Sequence, residues 1–303
     1  MVYIIYYHSG RQAMKSISII IPVYNNPEKL KLTLDSILAQ KFPLEELEVL
    51  IVDDGSQIDM KSIAEEYADR ISVRYFWQED LGFRPGTARN MGIREAKGKL
   101  CIFLDCDIIV TSHCFTELYQ IYQTYGETSV ILGYLYGTDL QADLDEMREV
   151  LDTYSPDEAV LIMEKRNMGE GRERTYAAMG DNLSQWPAPF TMLWGAFFAV
   201  PTSFMRENHI YFDEYFRTWG CEDNDFGIQL YQHGGRYILA RKAKAMHYPA
   251  KVRSYDKMKN DPIIHEGWRQ NREYLKKKYA NNRLVQLWLE KGGWVANHPE
   301  LEE

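Results

Sequence analysis

The sequence predicts an α/β fold, with a mostly parallel central sheet flanked by helices. Three observations predict it. Short β-branched runs alternate with segments whose apolar residues recur at helical spacing, the pattern of right-handed βαβ crossovers. The runs are apolar throughout, as in strands buried on both faces. Polar clusters follow the first, second and fourth runs, where such sheets collect ligands.

The elements can be justified in order. "ISIIIPVY" is a buried strand stopped by Pro22, and Pro27 opens a helix in which Leu30, Leu34, Ile37 and Leu38 share a face. "LEVLIVDDGS" repeats the plan: a strand, two acids and a glycine turn. "MKSIAEEYADR" is a second helix and "ISVRYFWQ" a third strand. "PGTARNMGIREAKG" gives a helix that ends at Gly98, "KLCIFLD" a fourth strand, and "SHCFTELYQIYQTYG" the helix after it. Residues 134–190 break the rhythm with charge-rich helical pieces and a Gly-, Met-rich loop, and are expected to be a mobile insertion. "FTMLWGAFFAVP" restores order, and "FDEYFRTWGCEDNDFGIQLYQHGG" is a loop leading into a helix. "RYILARKAKAMHYPA" reads as one or two short strands. The expected domains are 1–262, with a nucleotide-binding half at about 16–133 and an acceptor and metal half at 191–255, and a helical tail at 263–303.

Composition narrows the function. A net charge of −9 argues against a nucleic-acid partner. No apolar run is long enough to span a bilayer, and "MVYIIYYHSGRQ" lacks the design of a signal peptide. Met14 offers a second start, so residues 1–13 are expected to be an extension with little role in the fold. Four cysteines without a C-x-x-C pair read as free thiols of a reducing compartment. We therefore expect a cytoplasmic protein. The basic tail suits packing of its apolar stripe on the domain, or contact with the inner face of an anionic membrane.

Four polar clusters carry chemistry. Asp105 and Asp107 close the fourth strand as D-x-D, and in an extended chain they share a side. Two such carboxylates repel unless a cation intervenes, and Mg²⁺ or Mn²⁺ suits their oxygens; helix capping by Asp107 is the plainer reading. Asp53 and Asp54 precede Gly55, where a carboxylate could accept a uracil imide N–H or simply cap a turn. In "TWGCEDNDFG", Glu222, Asp223 and Asp225 crowd a helix start beside Trp219. The helix dipole favours acids there, yet an aromatic platform with adjacent carboxylates also fits stacking, orienting and deprotonating a sugar hydroxyl. His247 follows a strand and could join a carboxylate-held Mn²⁺. "GFRPGTARNMG" places Arg84 and Arg89 beside a helix start, as an anionic diphosphate would require.

Together "SIIIPVYNNPEKLKLTLDSILAQ", "VLIVDDGS", "GTARNMGIREAKGKLCIFLDCD" and "WGCEDNDFGIQLYQHGG" resemble the family 2 glycosyltransferases of GT-A (Rossmann-like) fold. The second half is similar to the galactosyltransferase-type region of chondroitin polymerases and β-1,4-galactosyltransferases. The resemblance implies a metal-dependent, inverting transfer of a hexose or N-acetylhexosamine from a UDP-sugar. It implies that Pro22, Tyr24, Asn26 and Asp54 line the uridine pocket, with Arg84 and Arg89 near the nucleotide. Asp105 would touch the ribose or the metal, and Asp107 and His247 would hold Mn²⁺ (or Mg²⁺). Asp223 would be the general base, with Glu222, Trp219 and Trp194 on the acceptor side. Leu193 is the nearest match to a bulky tyrosine of β-1,4-galactosyltransferases, with Trp194 there if the match slips by one; a leucine at that position implies room for an N-acetyl group. The acceptor stays open among saccharide, peptide, lipid-linked and natural-product hydroxyls. A sugar nucleotidyltransferase would want a glycine-rich loop after the first strand, which "PVYNNPEKL" lacks. A catalytically inactive carbohydrate-binding relative would not need both acidic pairs and His247.

Overall fold

A computed structural model of the chain describes residues 2–6, 14–139, 142–251, 256 and 259–298. Its described strands form one nine-stranded sheet. They are β1 (Val2–Tyr6), β2 (Ile17–Val23), β3 (Leu47–Asp53), β4 (Val73–Gln78), β5 (Leu100–Leu104), β6 (Ile108–Val110), β7 (Ser129–Tyr136), β8 (Phe197–Pro201) and β9 (Arg236–His247). Their order is β1-β4-β3-β2-β5-β8-β7-β9-β6. The block β4-β3-β2-β5 is parallel throughout. Beyond it the sheet is mixed: β8 runs antiparallel to both β5 and β7, while β7 and β9 are parallel.

The continuous apolar runs are explained by two-sided burial. Ile20, Leu50, Val52, Phe76 and Phe103 join the core on one face, and Ile19, Ile21, Val49, Ile51 and Leu104 the core on the other. Helices α1 (Pro27–Leu38), α2 (Lys61–Tyr67), α3 (Pro85–Glu95) and α4 (Cys114–Tyr125) cover those faces. The expected βαβ alternation is present through α4.

Three expectations change. Residues 2–6 are not a bystander extension: β1 pairs antiparallel with β4 along the sheet edge. "RYILARKAKAMH" is a single twelve-residue strand. The insertion is not a loose loop. It folds into α5 (Leu144–Thr153), α6 (Pro156–Lys165) and α7 (Glu173–Met179), and Met147, Val150, Val160 and Met163 close a small core against Met246 of β9.

After α8 (Thr202–Glu207) and α9 (Glu222–Gln232), the tail forms α10 (Pro262–Lys278), α11 (Arg283–Lys291) and α12 (Gly293–Asn297). Leu275, Tyr279 and Val285 are buried in the larger core, so the apolar stripe packs on the domain. No described helix is long and apolar enough to cross a membrane.

Candidate active site at the carboxyl edge of the sheet

The strands deliver their acids to one edge, and local geometry then separates them. Asp53 is spent on structure: it accepts from the Ser56 amide (2.7 Å) and the Tyr75 hydroxyl (2.5 Å). Asp54, also buried, accepts from Gln78 Nε2 (2.5 Å) and the Arg84 amide (2.7 Å). Burial raises its pKa, and those partners oppose the rise. Tyr24 is exposed beside it, its hydroxyl donating to Asp80 (2.9 Å). Pro22 is buried within β2. Asn26 occupies the N-cap of α1 without a side-chain cap bond, and its neighbour Asn25 binds the Gln57 and Ile58 amides. Tyr24, Asn26, Asp54 and Arg84 thus gather near the ends of β2 and β3. Asp80, which accepts from Tyr24, is a part that sequence reasoning missed, since polar loop residues carry no spacing signal.

Asp105 and Asp107 take different direct partners, although Asp107 and His247 both act on the Asp105 carboxylate. The chain turns after β5, with the Ile108 amide donating to the Asp105 carbonyl (3.1 Å). Asp105 faces Arg89, whose Nη2 lies 2.7 Å from its carboxylate. Burial raises the Asp105 pKa, and Arg89 pulls against that rise. Arg89 itself is only 3% exposed and packs over Phe212 (5.3 Å), so it supports the site from beneath. Asp107 turns instead toward His247. The β6–β9 pairing sets Ile108 opposite His247, and the Asp107 carboxylate lies 3.6 Å from His247 Nε2. Lys29 of α1 reaches the same oxygen at 3.1 Å. A carboxylate and an imidazole form a donor pair that fits Mn²⁺ or Mg²⁺ when substrate oxygens complete the sphere. Asp105 is engaged by Arg89 and feels both members of that pair, and no group of three His, Cys, Asp or Glu that could hold a metal occurs among the described residues.

The third cluster sits where a loop enters α9. Gly220 (φ 95°) and Cys221 (φ 78°) both adopt left-handed conformations, a strained entry that a non-glycine residue tolerates only when its surroundings impose it. Trp219 is half-buried on this loop. Glu222 is buried, its Oε2 has no hydrogen-bond partner, and burial with the neighbouring Asp223 pushes its pKa up to about 8. Asp223 accepts from the Gly195 amide (2.8 Å) and the Asn224 amide (2.7 Å). Burial raises its pKa as well, but both amides favour the carboxylate. Gly195 is glycine for a local reason: a Cβ there would lie 3.3 Å from Asp223 and 3.4 Å from Arg89.

Of the two candidates beside the donor sugar, Leu193 is fully buried, whereas Trp194, 40% exposed, meets solvent. The insertion also reaches the site. Arg172, paired with Glu170 (2.9 and 2.7 Å), lies 4.4 Å from the Trp194 ring and donates to the Met192 carbonyl (2.6 Å). Nothing in the local sequence signalled that pair, because its partners lie twenty residues away.

Comparison with known proteins agrees with this geometry. Residues 18–156 match the model of glycosyl transferase family 2. Validoxylamine A glucosyltransferase of Streptomyces hygroscopicus subsp. jinggangensis (strain 5008) is 30% identical over 240 residues, covering 77% of this chain and 55% of that protein. Chondroitin synthase of Escherichia coli is 26% identical over 275 residues, covering 86% and 39%. The chain thus spans about half the length, or less, of these curated relatives. Among solved structures, S. aureus TarS 1-349 in complex with UDP-GlcNAc superposes with a TM-score of 0.63 at 18% identity, covering 95% of this chain and 76% of that one. With its parallel nucleotide half, its acids at the strand ends and these matches, the chain carries a glycosyl transferase family 2 domain over residues 18–156 and has the GT-A fold.

Proposed function

We propose that this chain moves a hexose or N-acetylhexosamine from a UDP-sugar to an acceptor hydroxyl by a metal-dependent single displacement with inversion. The observation that carries the reading is a short relay across the sheet edge. Asp223 holds the Gly195 amide, the Gly195 carbonyl lies 3.4 Å from Arg89, and Arg89 holds Asp105. The candidate base and the candidate diphosphate side are therefore joined through two residues. The UDP complex of TarS and the glycosyltransferase relatives support a UDP-sugar donor.

The roles follow from the groups. Asp223, ionised under its two amide donors, takes the proton of the acceptor hydroxyl as that oxygen attacks the sugar's anomeric carbon. Glu222 keeps its proton at neutral pH and donates a hydrogen bond to the acceptor. Trp219 and Trp194 offer apolar faces for sugar rings. The bond from the anomeric carbon to UDP breaks as the new one forms. With one base and no second nucleophilic carboxylate, a single displacement inverts the centre. Asp107 and His247 would hold a divalent cation, which when bound supplies positive charge to the departing diphosphate. Asp54 and Tyr24 would hold the uridine. The natural-product and polysaccharide relatives favour an acceptor that is a saccharide or a polyhydroxylated small molecule.

The test is release of UDP from UDP-Glc, UDP-Gal, UDP-GlcNAc and UDP-GalNAc with Mn²⁺. We expect slow turnover of at least one donor and its loss in Asp107→Ala. If none turns over and calorimetry detects no UDP binding, the reading is wrong.

A further inference from the structure

The cation already at the metal pair is a side chain of this protein. Lys29 Nζ lies 3.1 Å from Asp107 Oδ2, the same oxygen that faces His247 Nε2 at 3.6 Å. This is not a loose surface contact. The Lys29 and Asp107 side chains are 17% and 19% exposed. The ammonium also lies 3.4 Å from the Tyr248 carbonyl and 5.9 Å from the Tyr248 ring. Tyr248 is fixed in turn, its amide donating to the Asp107 carbonyl (2.8 Å) and its hydroxyl to Asp152 of α5 (2.8 Å). The insertion, β9 and α1 together build the seat in which the lysine meets the carboxylate.

We propose that Lys29 is a built-in counter-ion that keeps the Asp107–His247 pair closed to free divalent cations and makes metal binding depend on the donor diphosphate. The proposal rests on the metal reading of that pair. Without nucleotide, Lys29 already neutralises Asp107, and an incoming dication must displace a charge of its own sign. Only two protein donors then face it, too few for a tight site. The diphosphate changes both terms. It supplies further oxygen ligands and enough negative charge for the lysine and the metal to coexist. Metal and nucleotide therefore bind with positive coupling, and linkage makes that coupling reciprocal.

The experiment titrates Mn²⁺ into the full chain, following free Mn²⁺ by electron paramagnetic resonance, with and without saturating UDP. The proteins are the wild type, Lys29→Met, Lys29→Gln and Lys29→Arg. Without UDP, both neutral variants should bind Mn²⁺ at least about tenfold more tightly than the wild type, and Lys29→Arg should match the wild type. The gain in Mn²⁺ affinity that UDP brings should shrink in the neutral variants by the same factor. Equal Mn²⁺ affinities of wild type and folded neutral variants without UDP would overturn the role of Lys29, while leaving the metal reading intact if UDP still promotes binding. Tightening in Lys29→Arg as large as in Lys29→Met would also overturn it, because the charge is retained there. Absence of Mn²⁺ binding to every protein, even with UDP, would overturn the metal reading and this proposal together.

Discussion

Two adjacent carboxylates at the start of α9 have unequal surroundings. Asp223 is served by two backbone amides, whereas one Glu222 oxygen has no partner, so the proposed mechanism assigns the shared proton to Glu222. The pair titrates as a unit. Asp223→Asn should lower kcat by about 10²–10⁴-fold, the usual worth of a general base, while UDP affinity measured by calorimetry is retained. For Glu222 the sign is set by a folded pKa above the unfolded one. Its neutral form adds stability that is complete below about pH 4.3 and is lost as pH rises through about 8. Activity that needs the neutral form should fall on the same alkaline limb. In Glu222→Gln that limb of the kcat/KM profile should disappear, with activity at pH 7 largely kept. A limb that persists in the variant would assign it to another group. Cys106 lies between Asp105 and Asp107 but packs against the strand-side core, so Cys106→Ala should turn over nearly as the wild type does.

At the scale of elements, the tail is a brace for α9. Asp225 is fully buried and holds Lys278 (2.7 Å), the Tyr279 hydroxyl (2.8 Å) and Gln229 (2.7 Å). Asn271 of α10 donates to the Gly220 and Thr218 carbonyls, and Trp268 lies where a Gly220 side chain would be. These contacts hold the left-handed entry that presents Glu222 and Asp223. Asp225→Asn should cost about 1.5–3 kcal/mol, the worth of a charge-assisted hydrogen bond, because the buried carboxylate is neutralised while Lys278 keeps Asp213 (2.7 Å). The shift in urea midpoint measures it. The opposite end of the sheet has its own buried charges. Arg74 of β4 pairs with Glu48 of β3 (2.9 Å), both side chains 1% exposed, and Glu48 also accepts from Ser18 of β2 (2.5 Å). They lie away from the carboxyl edge, so Glu48→Ala should lower stability by about 3–5 kcal/mol without a specific loss of UDP affinity in protein that remains folded.

At the scale of the molecule, the site is assembled from distant segments: α1, the β2 and β3 ends, the β5–β6 turn, the insertion, residues 193–195, α9 and the end of β9. A ligand that bridges these segments binds the folded chain and not the unfolded one. UDP with Mn²⁺, each at a hundredfold excess over its Kd, should therefore stabilise by at least about 2.7 kcal/mol, seen as a rise in Tm of several degrees. UDP alone should give less. Equal shifts with and without Mn²⁺ would remove the metal from the nucleotide site.

The sequence by itself determined the parallel half of the sheet. Its apolar runs admit only strands buried on both faces, and the turn residues that end those runs placed the acids at one edge. Family motifs in four separated stretches supplied the candidate residues. Only the tertiary structure decided how those residues pair. Alternation along an extended strand would have set Asp105 and Asp107 side by side, but a turn after Leu104 sends one to Arg89 and the other to His247. Charge–charge contacts at 3–4 Å depend on which elements meet. Lys29 lies 78 residues from Asp107 in the chain, so no local pattern could reveal that contact. The same holds for Gly195 beneath Asp223 and for Arg172 beside Trp194. Periodicity reports the face an element buries, whereas a site is made by faces that meet only after the chain has folded.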